Sequence, residues 1–162
     1  MALSEFHEST ILKTDAAFGF DNFACSPEDI TERLGLNPDE TRTKGEFRTR
    51  RDGSRLVVPF STWSIASNSM SKDINEHLRE LLARLRVAKL PFSPDWGEAS
   101  FGVLWKSNYL YAGTGPFYEP DVLCGIAALG AALYQDIYQV DEELDEAKSG
   151  IHRVPKHYFG DE

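Results

Sequence analysis

Residues 72–88, KDINEHLRELLARLRVA, constrain the fold more than any other stretch of this chain. Ile74, Leu78, Leu81, Leu82 and Leu85 recur at i, i+4, i+7, i+8 and i+11, the spacing of one face of an α-helix. Ser71 stands where an N-cap is expected, and Glu76 with Arg79 and Glu80 with Arg84 are spaced to pair on the outer face. A helix that is apolar on one face only needs a surface to cover it. A first strand with one buried face is predicted upstream, where Leu12, Thr14, Ala16, Phe18 and Phe20 alternate with Lys13, Asp15 and Gly19.

A second helix is punctuated almost residue by residue in CSPEDITERLGLNPDE, which starts at Cys25. Ser26 suits the N-cap, and Pro27 the first helical position, where its missing amide hydrogen costs nothing. Glu28 and Asp29 put negative charge at the positive end of the dipole, and Ser26 with Asp29 approximates a capping box. Ile30 and Leu34 share a face, Gly35 suits the left-handed stop, Leu36 folds back on the last turn, and Pro38 forbids continuation.

Further along, GEFRTRRDGSRLVVPFSTWSIAS carries Asp52-Gly53 between two β-prone arms, a hairpin signal. Pro59 cannot donate to a ladder and is expected at an edge or bulge, after which Trp63 and Ile65 share a face. A loop, KLPFSPDWGEA, precedes a strand with Phe101, Val103 and Trp105. After GTGPFYEPD, a helix opens at Pro120, with Val122, Leu123, Ile126 and Leu129 on its apolar side and Gly130 as its stop. ALYQDIYQV reads as a last strand. The order is strand, helix, hairpin, helix, strand, helix, strand. It predicts an α+β domain: a mainly antiparallel sheet with helices packed on one face, in the manner of a ferredoxin-like plait. Residues 1–140 form that single domain, and residues 141–162 an acidic C-terminal tail able to pack back on it through Ile151, Val154, Tyr158 and Phe159.

The chain's 162 residues, 41% of them hydrophobic, suffice for one core. MALSEFHEST lacks the basic, then apolar, pattern of a secretory leader, and no apolar run reaches about 18 residues, so a cytoplasmic protein without membrane contact is expected. Cys25 and Cys124 are far apart and read as buried or half-buried free thiols rather than as a disulfide or zinc framework. Nucleotide-binding, hydrolase and metalloprotease signatures are missing from the sequence. GTG at 113–115 precedes a proline and lacks a lysine, which favours a turn over phosphate binding. Of His7, His77, His152 and His157, only His77 has acidic neighbours at helical spacing, Asp73 and Glu80, and these read as a surface group rather than a metal or acid-base site. No catalytic residue, metal or cofactor is therefore expected.

Charge is the more informative feature. The chain carries −9, yet residues 42–55 hold Arg42, Lys44, Arg48, Arg50, Arg51 and Arg55 against Glu46 and Asp52, a local +4 that leaves −13 elsewhere. Asp136, Asp141, Glu142, Glu143, Asp145 and Glu146 concentrate negative charge around the end of the last strand. A basic footprint confined to one hairpin of an acidic body disfavours nucleic acid. The expected partner-binding residues are thus Arg48, Arg50, Arg51 and Arg55 on the hairpin and Asp141, Glu142, Glu143, Asp145 and Glu146 in the tail. A separate candidate is an aromatic cleft: Glu46 beside Trp63, with Trp105 and Tyr109 nearby, since an indole next to a carboxyl is one way to raise an acid's pKa.

In their order along the chain, EDITERLGLNPDE, GE, STWSI, INEHLRELLARL and VLCGIAALGAALYQDIY resemble an uncharacterised bacterial family, domain of unknown function 4279, over residues 10–140. The resemblance implies a small bacterial α+β domain and carries no catalytic residue with it. The function expected is a non-enzymatic protein-binding module, immunity- or antitoxin-like, that masks a basic partner. The alternatives are a small-ligand sensor built on the aromatic cleft and an enzyme with an unfamiliar site around Glu46 or His77.

Overall fold

The computed structural model describes residues 11–86, 92–107 and 115–139. The first strand, β1 (Ile11–Asp21), is followed by α1 (Pro27–Leu34) and three short strands, β2 (Glu40–Arg42), β3 (Phe47–Thr49) and β4 (Arg55–Val57). Then come β5 (Thr62–Ala66), α2 (Ile74–Arg86), a 3-10 turn (Pro94–Trp96), β6 (Glu98–Ser107), α3 (Pro120–Ala128) and β7 (Ala132–Gln139). The short helix forms as its residues dictate. Ser26 Oγ accepts from the Asp29 N–H at 3.1 Å, the Asp29 carboxylate accepts from the Ser26 N–H at 3.1 Å, and Gly35 stops the helix at φ 72°. For α2, the capping passes from Ser71 to Asp73. Asp73 Oδ1 accepts from the Asn75 N–H, and the Ser71 hydroxyl accepts from Asp73.

Five strands form one sheet in the order β2-β5-β1-β6-β7. β1 lies antiparallel to both neighbours, with Phe20 opposite Trp63 on β5 and Phe18 opposite Phe101 on β6. β2 lies antiparallel to β5, whereas β7 lies parallel to β6. The sheet is thus mixed and mainly antiparallel. Helix α2 carries the chain from β5 over β1 to β6, and α3 carries it from β6 to the adjacent β7, each a return in the same direction that a tight turn cannot make. This order, with β7 parallel beside β6, does not establish a ferredoxin-like plait. The predicted hairpin is present but separate: β3 and β4 pair only with each other, Phe47 opposite Val57, and the chain breaks at Pro59 before β5.

All three helices share one core with the same side of the sheet. Ala16, Phe18 and Phe20, Trp63 and Ile65, and Phe101 and Val103 meet Ile30, Leu34, Leu78, Leu81, Leu85, Val122 and Ile126. The Pro-rich loop contributes more than its composition suggests, because Phe92 and Trp96 close on Phe20 at ring separations of 5.0 and 5.4 Å. Helices α2 and α3 approach closely at Gly125, where a Cβ would lie 2.8 Å from a Leu82 methyl. Leu123, expected on the apolar side of α3, faces outward instead. Arg79 forks onto Asp121 at 2.9 and 3.0 Å and also binds Glu119, so it bridges α2 to the start of α3 rather than pairing with Glu76. Glu80 and Arg84 do pair, at 3.6 Å. No helix among the described residues is long and apolar enough to cross a membrane.

Candidate functional site

Strand alternation assigns one set of side chains to the helices and the other to the opposite side of the sheet. That second side is covered by no helix among the described residues. Across its centre the register sets small residues next to one another: Gly19 opposite Ser64 and Ser100, and Ala17 opposite Ala66 and Gly102. Polar residues surround them: Glu40 and Arg42 on β2, Asp15 and Asp21 on β1, Glu98 on β6, and Tyr134, Asp136 and Tyr138 on β7.

At one end of this face Asp21 stands directly opposite Glu98. The backbone achieves that only because residue 97 is glycine. Its φ is 74°, and a Cβ there would sit 1.9 Å from the Asp21 carbonyl oxygen, so any side chain would drive β6 away from the end of β1. Asp21 is half-buried and its pKa is pushed from 3.8 up to about 7, first by burial and then by the neighbouring Glu98 charge, with Arg42 opposing both. Glu98 accepts the Tyr134 O–H at 2.8 Å, which raises the phenol's pKa. Two buried atoms here have no hydrogen-bond partner, Asp21 Oδ1 and Ser100 Oγ. Such a group can hold or release a proton near neutrality, or receive a donor-rich cation.

The residues singled out from sequence are distributed differently. Trp63 is fully buried on the helix side, its indole N–H donating to Thr31 Oγ1 at 2.9 Å, so it lines no cleft. Glu46 sits in the connection leading to the hairpin and accepts from Arg48 Nε at 2.9 Å. Trp105 is buried, and Tyr109 lies outside the described residues, so the aromatic cleft expected from Glu46, Trp63, Trp105 and Tyr109 is not assembled. The physical reason is that β5 points Trp63 inward, where an indole packs better than it would beside water.

The basic cluster divides in two. Arg42 is buried against Glu40, and Arg48 donates to Glu40, Glu46 and the Thr41 carbonyl, stapling the hairpin to β2. Arg50, Arg51 and Arg55 remain exposed, beside the cross-strand pair Phe47 and Val57, which are 68% and 50% exposed. Asp141, Glu142, Glu143, Asp145 and Glu146 lie outside the described residues, as does the rest of the tail. Asp136, grouped with them by charge, belongs to β7 and to the helix-free face.

His77 is not a surface residue. It is 1% exposed, with Nε2 2.7 Å from the Ser71 carbonyl and Nδ1 3.1 Å from Ser67 Oγ. A carbonyl only accepts, so Nε2 donates to it, and Nδ1 is engaged by the serine hydroxyl, which leaves neither nitrogen for a metal. No group of three His, Cys, Asp or Glu side chains among the described residues is placed to hold a metal ion. Cys25 is half-buried, whereas Cys124 is exposed rather than buried. Asp21 was within reach of the sequence, since it continues the alternation of Lys13, Asp15 and Gly19. Nothing local announced that Glu98 would face it.

A family model described as a domain of unknown function, DUF4279, matches residues 12–140. The chain belongs to the DUF4279 family. No curated protein and no solved structure matches it. The match spans β1 to the end of β7, so the whole helix-free face lies within the DUF4279 domain.

Proposed function

We propose that this DUF4279 domain is a non-enzymatic protein-binding module that docks a basic partner on the helix-free face of its sheet. The observation that carries this reading is the charge of that face. Asp15, Asp21, Glu40, Glu98 and Asp136 stand there against Lys13, Arg42 and, by register, Lys106, and Tyr134 and Tyr138 are exposed among them. Tyrosines supply broad contact at low entropic cost, and clustered acids steer a basic molecule. The net charge of −9 acts in the same direction. An immunity- or antitoxin-like role, in which the face masks a basic protein, is the setting that this reading fits.

The test begins with recovery of a stoichiometric partner from the native host by the full chain. The association rate is then compared with that of a variant carrying Asp15→Asn, Asp136→Asn and Tyr138→Ala. Association is expected to slow by about tenfold and to lose much of its salt dependence. Equal rates with equal salt response, or no stoichiometric partner, would overturn the reading.

A further inference from the structure

We infer that Asp21, Glu98 and Ser100 form a receptor for a single cationic head group, a guanidinium or ammonium presented by the basic partner. The inference rests on the docking proposed above and gives it a focal point. Three observations meet at this place. Asp21 and Glu98 are register partners across β1 and β6, so two carboxyl groups project side by side from the same face. Ser100, two residues along β6 on that face, is 1% exposed and its hydroxyl has no partner, as is true of Asp21 Oδ1. Opposite Ser100 stands Gly19, and beyond it Ala17 and Gly102, so the residues flanking the serine on β1 and β6 are small.

The chemistry selects the ligand. Two carboxylates and a serine hydroxyl are chiefly acceptors, and an occupant must bring several N–H donors together with positive charge. Arg42 stands in the same row two strands away, bonds Glu40 at 3.4 Å and leaves Asp21 Oδ1 without a hydrogen bond. Tyr134 reaches from its position opposite Gly102 to bond Glu98, a path that passes over Ser100. Its ring therefore borders the site, and an aromatic wall beside a carboxylate pair favours a guanidinium or alkylammonium. The absence of a third carboxylate or imidazole near the pair, among the described residues, argues for a hydrogen-bonded organic cation over a metal ion.

The experiment uses the full chain with methylguanidinium chloride and, in parallel, methylammonium chloride, each at ionic strength matched with sodium chloride. Binding is followed by carbon-13 NMR of the Asp21 and Glu98 carboxyl groups. Saturable shifts at both carboxyl groups are expected, with affinity reduced about tenfold or more by Asp21→Asn and by a smaller factor in Ser100→Ala. Near-UV circular dichroism shows whether each variant keeps its packing, and the serine variant leaves both charges in place. Shifts no larger than those in sodium chloride, or equal affinity in Asp21→Asn, would overturn the inference. Probe binding needs no partner, so the outcomes separate: an unresponsive pocket leaves docking by the wider face standing. Asp21-dependent probe binding stands even where no partner is recovered.

Discussion

Asp21 shows how one position can carry more than its local sequence declares. Alternation places it on the polar side of β1, but its unusual proton affinity arises from burial and from Glu98, 77 residues later in the chain. The sign of its effect on stability follows from the raised pKa. Between 3.8 and about 7 the folded protein holds a proton that the unfolded chain has released, so stability declines as pH rises through that window. Three pKa units correspond to about 4 kcal/mol, and screening at a half-buried carboxyl reduces this to roughly 1–3 kcal/mol. Urea unfolding at pH 4.5 and 7.5 should therefore show Asp21→Asn gaining on the wild type at the higher pH. Parallel changes in the two proteins would mean that the native carboxyl titrates normally.

Among the elements, the helices were the most legible and their partners the least. Helix α1 is specified within itself: Ser26, Pro27 and Asp29 start it and Gly35 ends it, all through contacts spanning four residues or fewer. Because no atom lies within 4 Å of a Cβ built on Gly35, Gly35→Ala should cost roughly 1 kcal/mol of conformational strain and nothing in packing. Leu78→Ala removes a fully buried side chain between α2 and the sheet and should cost about 2–5 kcal/mol. Chemical denaturation measures both, and a loss below ~1 kcal/mol at Leu78 would contradict its burial. The same helix shows the limit of periodicity. His77 lies beside the apolar stripe, a position that predicts exposure, yet Ser67 and Ser71 satisfy both ring nitrogens inside the protein. Arg79, spaced to pair with Glu76, is drawn to Asp121 and Glu119 because two carboxylates at the start of α3 offer it a forked arrangement.

For the whole molecule, the acidic body and the basic hairpin make opposite claims on a partner. Arg50, Arg51 and Arg55 are exposed, and no ion pair holds them among the described residues. Replacing all three by glutamine should leave stability within about 0.5 kcal/mol and, by removing positive charge, speed association with a basic partner several-fold. Slower association would instead make the hairpin the docking element. All strands but β2, the three helices, the turn at Asp52-Gly53 and the acidic balance were determined by the sequence alone, because each depends on residues close together in the chain or on composition. The tertiary structure alone decided that the hairpin stands apart from the main sheet, that β2 joins its edge, that Trp63 is core, and that Asp21 faces Glu98. These depend on which strands become neighbours. That choice is made by burying Phe18, Phe20, Trp63 and Phe101 under the helices, and it then dictates which polar residues meet on the opposite face.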